Sequence, residues 1–397
     1  MKILIWDKDY KLEKVGGSTG YMYNIREYLK NNPNDHIKFY SDFFQSVSIS
    51  GDIEKKNSFK NSFLSSTRLL RFISALRGYF IRRSLSEKEW NVIKDFDYVH
   101  VHNIFNFVSF FAEKPVDTKV ILTMHYPELP IDEISSSFGY QRLFNRLPIL
   151  KRFFVKKELE ILNRADYLMF PVKEACEVYT NNSSDYKSFF DNNKDKIFYV
   201  PTAIYPSDKI LSSGSFDIGK YSIDDGTLKI CYIGRHNEVK GYDSLKQIAQ
   251  ETWKRYPNVY FIVGGQEGPL YGLSDKRWIE LGWVNTFDVL NQIDVFVLPN
   301  KQTYFDLILL EVLRQGKTCL ISNTGGNKWF SQFTERGIMM YDYSSPESVL
   351  PLIEKLISYK QKGQFPEIEE ETRIFFKKHF TVEAYIAKYL SEVSKLS

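Results

Sequence analysis

The chain has 397 residues, 43% apolar and 26% charged, a balance found in globular proteins large enough to bury two hydrophobic cores. A formal net charge of +4 supplies no global field for nucleic acid, and the three cysteines, Cys176, Cys231 and Cys319, lack metal or redox spacing, which suits a reducing cytosol. The opening MKILIWDKDY reaches Asp7 too soon for a signal peptide, and no uncharged apolar run approaches the ~20 residues of a membrane-spanning helix, so a cytoplasmic protein is expected.

In chain order, short apolar runs alternate with longer amphipathic ones. Strands are predicted at KILIWD (2–7), DYVHVHNI (97–104), KVILTMH (119–125), DYLMFPV (166–172) and KIFYVPTAI (196–204), with stretches between them long enough for helices. The polar, turn-rich stretch from Pro206 to Gly226 reads as an interdomain linker. The alternation restarts with LKICYIG (228–234), VYFIVGG (259–265), WIELGWV (278–284), VFVLP (295–299), TCLIS (318–322) and GIMMYD (337–342). This predicts two doubly wound α/β domains, 1–205 and 228–375, joined by a linker at 206–227 and followed by a helical segment at 376–397. Ligands of such folds sit at the carboxyl ends of the strands, which here predicts a cleft between the domains.

Four strand-end loops carry chemistry. Val15 to Gly20, with Gly16 and Gly17, precedes an amphipathic stretch, so backbone amides and a helix N-terminus can meet an anion; a flexible turn would use the same glycines. His125 ends a strand where its ring can hydrogen-bond a sugar hydroxyl or phosphate, or serve a structural role. In YIGRHNEVKG (232–241), Gly234 ends a strand and Arg235 and Lys240 follow, a planar fork and a point charge that both suit phosphate oxygens. After VFVLP, the segment Lys301 to Val312 carries Glu311, a carboxylate able to accept two hydrogen bonds from a ribose diol. Further on, Gly325 and Gly326 offer a second place for backbone amides to approach an anion.

In this order the pieces resemble the large retaining GT-B glycosyltransferase family typified by sucrose synthases and bacterial mannosyl- and N-acetylglucosaminyltransferases (family 4, group 1). The resemblance is diffuse over the N-terminal half and clear from about Leu228 to Asn327. It implies two Rossmann-like domains facing a cleft, an N-terminal acceptor domain, a C-terminal nucleotide-sugar donor domain, and a terminal helix that crosses back to the N-terminal domain. It implies catalytic roles for Arg235, Lys240 and His125, with Arg235 and Lys240 holding the donor diphosphate, and donor contacts from Gly16, Gly17, Gly234, Glu311, Gly325 and Gly326. The family's E-x7-E segment departs here. Thr303 stands where the first glutamate is usual, and Asp306 where a small residue follows Phe305; both are candidate contacts to the donor sugar.

The implied reaction moves a sugar, with UDP-sugars the first expectation, to a glycan, lipid-linked glycan or glycoprotein acceptor in bacterial surface polysaccharide or glycoconjugate synthesis. It is retaining, uses no cofactor and no metal, and involves no nucleic acid. Two other readings stay open: a non-catalytic GT-B subunit or glycan-binding protein, and a nucleotide-sugar epimerase on the same fold. Finally, residues 55–94 and 142–157 are rich in Lys and Arg and carry apolar positions at helical spacing, among them Leu69, Phe72, Ile73, Leu76 and Phe80. Basic amphipathic helices suit the anionic inner face of a membrane, and equally a sheet-packing helix with a solvated basic side.

Overall fold

The computed structural model describes residues 1–8, 12, 17–44, 63–80, 85–108, 117–205 and 216–396. The chain divides into two compact units. The first comprises Met1–Phe170, Glu177–Val200 and the residues from Glu392 on; the second comprises Pro171–Cys176 and Pro201–Ser391. Of the expected linker, residues 206–215 lie outside the described residues. Residues 216–227 group with the second unit, where the Gln292 side chain accepts from the Ile218 amide at 2.8 Å and donates to the Phe216 carbonyl at 2.7 Å. The terminal helix Val382–Val393 lies almost wholly in the second unit, and only its end and the residues after it group with the first.

Among the described residues each unit carries a six-stranded, all-parallel sheet. In the first unit the strands are β1 (Ile3–Trp6), β2 (Ile37–Phe39), β3 (Tyr98–Val101), β4 (Lys119–Thr123), β5 (Tyr167–Phe170) and β6 (Ile197–Tyr199). In the second they are β7 (Lys229–Ile233), β8 (Tyr260–Gly264), β9 (Trp278–Gly282), β10 (Val295–Leu298), β11 (Thr318–Ser322) and β12 (Ile338–Tyr341). The central strands are buried along their length, ILIW in β1 and VFVL in β10 for example, because helices cover both faces of a parallel sheet.

Strand order decides where a ligand can sit. The second sheet runs β12-β11-β10-β7-β8-β9, so the order reverses between β7 and β10. The first runs β2-β1-β3-β4-β5-β6 and reverses between β1 and β3. At such a switch point the connections leave toward opposite faces and open a crevice at the carboxyl ends of the two neighbouring strands. Lys240 follows β7 and Asp306 follows β10. His102 follows β3, and Gly17 opens the helix after β1.

Candidate active site

The turn after β7 is built by its glycines and one tyrosine. Gly234 donates its amide to Gly264 at 3.1 Å, and a Cβ on Gly234 would lie 2.8 Å from the Tyr232 hydroxyl. That space lets the buried Tyr232 hydroxyl donate to the Arg235 carbonyl at 2.7 Å and hold the turn. The Arg235 side chain is exposed, and no carboxylate among the described residues pairs with it. The loop closes when the Asn237 side chain accepts from the Lys240 amide at 2.9 Å. Gly241, at φ +67°, then presses against the end of β10: a Cβ there would lie 1.6 Å from the Pro299 carbonyl oxygen. The helix Tyr242–Arg255 starts at once, so Lys240 is aimed across the β7/β10 switch point.

Across that point lies Asp306, the residue before helix Leu307–Arg314. The Lys240 ammonium sits 2.5 Å from its carboxylate, both groups being largely shielded from solvent. Thr303 donates to the same carboxylate at 3.0 Å, and Asn300 bonds to it through its side-chain amide. Burial alone would raise the Asp306 pKa. The Lys240 charge, with the hydrogen bonds from Lys240, Thr303 and Asn300, outweighs burial and holds it below the usual carboxylate value. Asp306 is therefore an anion at neutral pH, acceptor-only and fixed in orientation.

Thr303 itself is fully buried with its hydroxyl committed to Asp306, so in this conformation it supports a carboxylate rather than presenting a group to a ligand. The glycine pair explains its placement. A Cβ on Gly325 would lie 2.2 Å from the Thr303 carbonyl oxygen, and one on Gly326 would lie 2.0 Å from that of Tyr304. The Gly326 amide donates to the Thr303 carbonyl at 3.1 Å. That N–H is spent on Thr303, and the pair serves to let two backbones touch. Glu311 lies half-buried within helix Leu307–Arg314, past Asp306 in the chain.

In the first unit, Gly16 lies outside the described residues, while Gly17 opens helix Gly17–Asn31 at φ +74°, with open space where a Cβ would sit. Tyr21 of that helix packs on two histidine rings, His102 and His125, with centroids 5.4 and 5.2 Å away. His102 Nδ1 and His125 Nε2 are 3.1 Å apart, and His100, next to His102 at 4.1 Å, bonds to the Thr123 hydroxyl at 2.7 Å. Burial, with the His125 ring adding to it for His100, depresses His100 and His125 to about 3; His102 is likewise held well below its ordinary value. All three are neutral hydrogen-bonding groups at physiological pH. The carboxylate of the buried Asp7 is satisfied within this unit by Ser41 and Arg26.

Residues 227–358 match the family model described as Glycosyl transferases group 1. The matched segment lies within the second unit. Across its whole length the chain is similar in structure to sucrose-phosphate synthase from Thermosynechococcus elongatus, at 12% identity and a TM-score of 0.62, covering 100% of this chain and 99% of that one. It is similar to a glycosyltransferase from Rickettsia africae (14% identity, TM-score 0.59, 100% and 98% covered). It is also similar to Anabaena Alr3699/HepE, solved in complex with UDP and glucose (12% identity, TM-score 0.56, 99% and 99% covered). These likenesses show that the fold is of the GT-B type. No curated protein matches the sequence.

The structure brings Lys240, Asp306, Thr303, Gly325 and Gly326 into one cluster, with Arg235 and Gly234 on the adjoining turn. His125 stands in a separate cluster in the other unit. Asn300 and His102 join these clusters without any motif to mark them, as does Tyr232, which opens the YIGRHNEVKG loop without being one of its expected site residues. Asn300 directly follows the proline that ends a strand, and His102 sits two residues from His100 in VHVHN. Those are the only signals either residue carries.

Proposed function

We propose that the enzyme transfers a sugar from a nucleoside-diphosphate sugar, UDP-linked in the first instance, to a glycan, lipid-linked glycan or glycoprotein acceptor of bacterial surface glycoconjugates, with retention and without a metal. The observation that carries this reading is the meeting of Lys240 and Asp306 at the β7/β10 switch point, beside an Arg235 that no carboxylate among the described residues neutralises. Breaking the anomeric bond moves negative charge onto the leaving diphosphate. Two fixed cations beside the crevice stabilise that charge more in the transition state than in the ground state. Asp306, ionised and oriented by Thr303 and Asn300, supplies the carboxylate that would face donor-sugar hydroxyls where the family's first glutamate is replaced. Glu311 is assigned to the ribose, and the neutral His125 to a hydrogen bond with a substrate oxygen. The departing phosphate takes the acceptor proton, so no further base is assigned.

The test is donor turnover by the full chain over a panel of UDP-, GDP- and dTDP-sugars with chelator present, for the wild type and for R235A/K240A. One nucleotide class should be turned over in chelator. The double variant, with an unchanged melting profile, should lose on the order of a hundredfold or more. Equal turnover by the two proteins would remove Arg235 and Lys240 from the mechanism.

A further inference from the structure

Three helices of the first unit, Phe63–Arg77, Gln141–Arg146 and Pro148–Asn163, carry an outward face that is apolar and basic together. Leu70 is 63% exposed, Phe80 51%, Leu143 48%, Phe153 45% and Ile149 87%. Two of these side chains share one surface. Phe80 stacks on Phe153 with centroids 6.2 Å apart, and beneath them Phe72 stacks on Tyr140 at 4.4 Å and meets Phe144 edge-on at 5.8 Å. The inward aromatics, Phe72, Phe144 and Phe154, thus anchor the helices to the unit, and the outward residues have no such role. Large apolar side chains exposed on neighbouring helices in this way mark an interaction site.

The charges around the patch identify its partner. Arg71, Arg77, Arg142 and Arg146 are exposed and pair with no carboxylate among the described residues, whereas Lys151 and Arg152 are already held by Asp132 and Asp185. Leu143 lies between Arg142 and Arg146 in sequence, and Ile149 follows three residues later. An apolar core fringed by such arginines matches a surface that is apolar at depth and anionic at its face, which is a bilayer containing acidic lipids. No helix among the described residues is long and apolar enough to cross a membrane. The unit would lie on the bilayer rather than span it.

We propose that this three-helix face docks the enzyme on anionic membranes, with Leu143, Ile149 and Phe153 entering the headgroup boundary and Arg142 and Arg146 binding lipid phosphates. Of the basic stretches read from the sequence, residues 55–62 and 81–84 lie outside the described residues. The face belongs to the first unit alone, so its docking stands or falls separately from the donor chemistry.

The experiment is vesicle flotation of the full chain on phosphatidylcholine alone and on phosphatidylcholine with phosphatidylglycerol, at low and high salt. The wild type should float only with the anionic vesicles, and less at high salt. L143D/I149D and R142A/R146A should each lose binding by about tenfold or more while their melting profiles remain those of the wild type. Binding unchanged in L143D/I149D would mean charge adhesion without insertion and overturns the proposal. A wild type that ignores anionic vesicles but forms a dimer broken by L143D/I149D would also overturn it, making the face a homodimer contact.

Discussion

The Lys240 ammonium lies 2.5 Å from the Asp306 carboxylate, bridging the loop after β7 and the loop after β10 across the switch point of the second sheet. The cation assigned to the diphosphate is thus held in place by an anion that a bound donor must share or displace. Asp306 sets the resting position of Lys240, and Thr303 and Asn300 set that of Asp306.

Removing that carboxylate should hurt more than removing its support. Asp306→Asn is expected to lower donor turnover by about tenfold or more, the scale of one lost charged hydrogen-bond partner. Thr303→Val, which keeps shape and deletes one donor to the anion, should cost only a few-fold and let the Asp306 pKa rise toward its ordinary value. Steady-state kinetics on the preferred nucleotide-sugar check both. A Thr303→Val loss equal to that of Asp306→Asn would instead point to a direct role for the hydroxyl.

Gly241 and Gly17 both adopt left-handed backbone but differ in their surroundings. A Cβ on Gly241 would meet the Pro299 carbonyl oxygen at 1.6 Å, whereas one on Gly17 would meet no atom within 4 Å. Gly241→Ala should therefore push the Lys240 loop off β10, lowering the melting temperature and costing donor turnover together. Gly17→Ala should cost only the backbone preference, about 1–2 kcal/mol. Thermal melts paired with activity on the two variants separate these outcomes.

Glu158 gives a stability signature in pH. It is fully buried and accepts hydrogen bonds from the Tyr79 hydroxyl (2.6 Å), the Tyr186 hydroxyl (2.8 Å) and the Ile131 amide (2.8 Å). Burial nevertheless wins over those donors and pushes its pKa up to about 7. Between the ordinary carboxylate value and about 7 the folded state holds a proton that the unfolded chain has released, so this group's stability contribution falls as pH rises through that window. The full change is on the order of 3 kcal/mol. The neutral histidines act in the opposite sense, losing stability as pH falls below the ordinary histidine value, because only the unfolded chain then takes up protons. The difference between wild type and Glu158→Gln isolates the carboxyl: chemical denaturation should show it changing steadily from about pH 5 to 7 and little above. A flat difference would mean that the three donors keep Glu158 ionised.

Much of the architecture was legible in the chain itself. Strands buried on both faces need continuous apolar runs, so β1 and β3 through β12 stand out, each bounded by turn or polar residues. Strand β2 did not, because three residues, Ile37-Lys38-Phe39, are too few to show a period. The loop YIGRHNEVKG likewise declared its two cations and its glycines, since charge and Cβ-free backbone are properties of the residues themselves.

Pairing belongs to the tertiary structure. That β10 lies beside β7, with β8 on the other side, follows from hydrogen bonds between residues far apart in sequence, and no local pattern encodes it. Only that order sets Asp306 against Lys240, turns the buried Thr303 hydroxyl onto a carboxylate, and makes Asn300 part of the site. Residue types determined which groups could bind a diphosphate; strand order decided which of them meet.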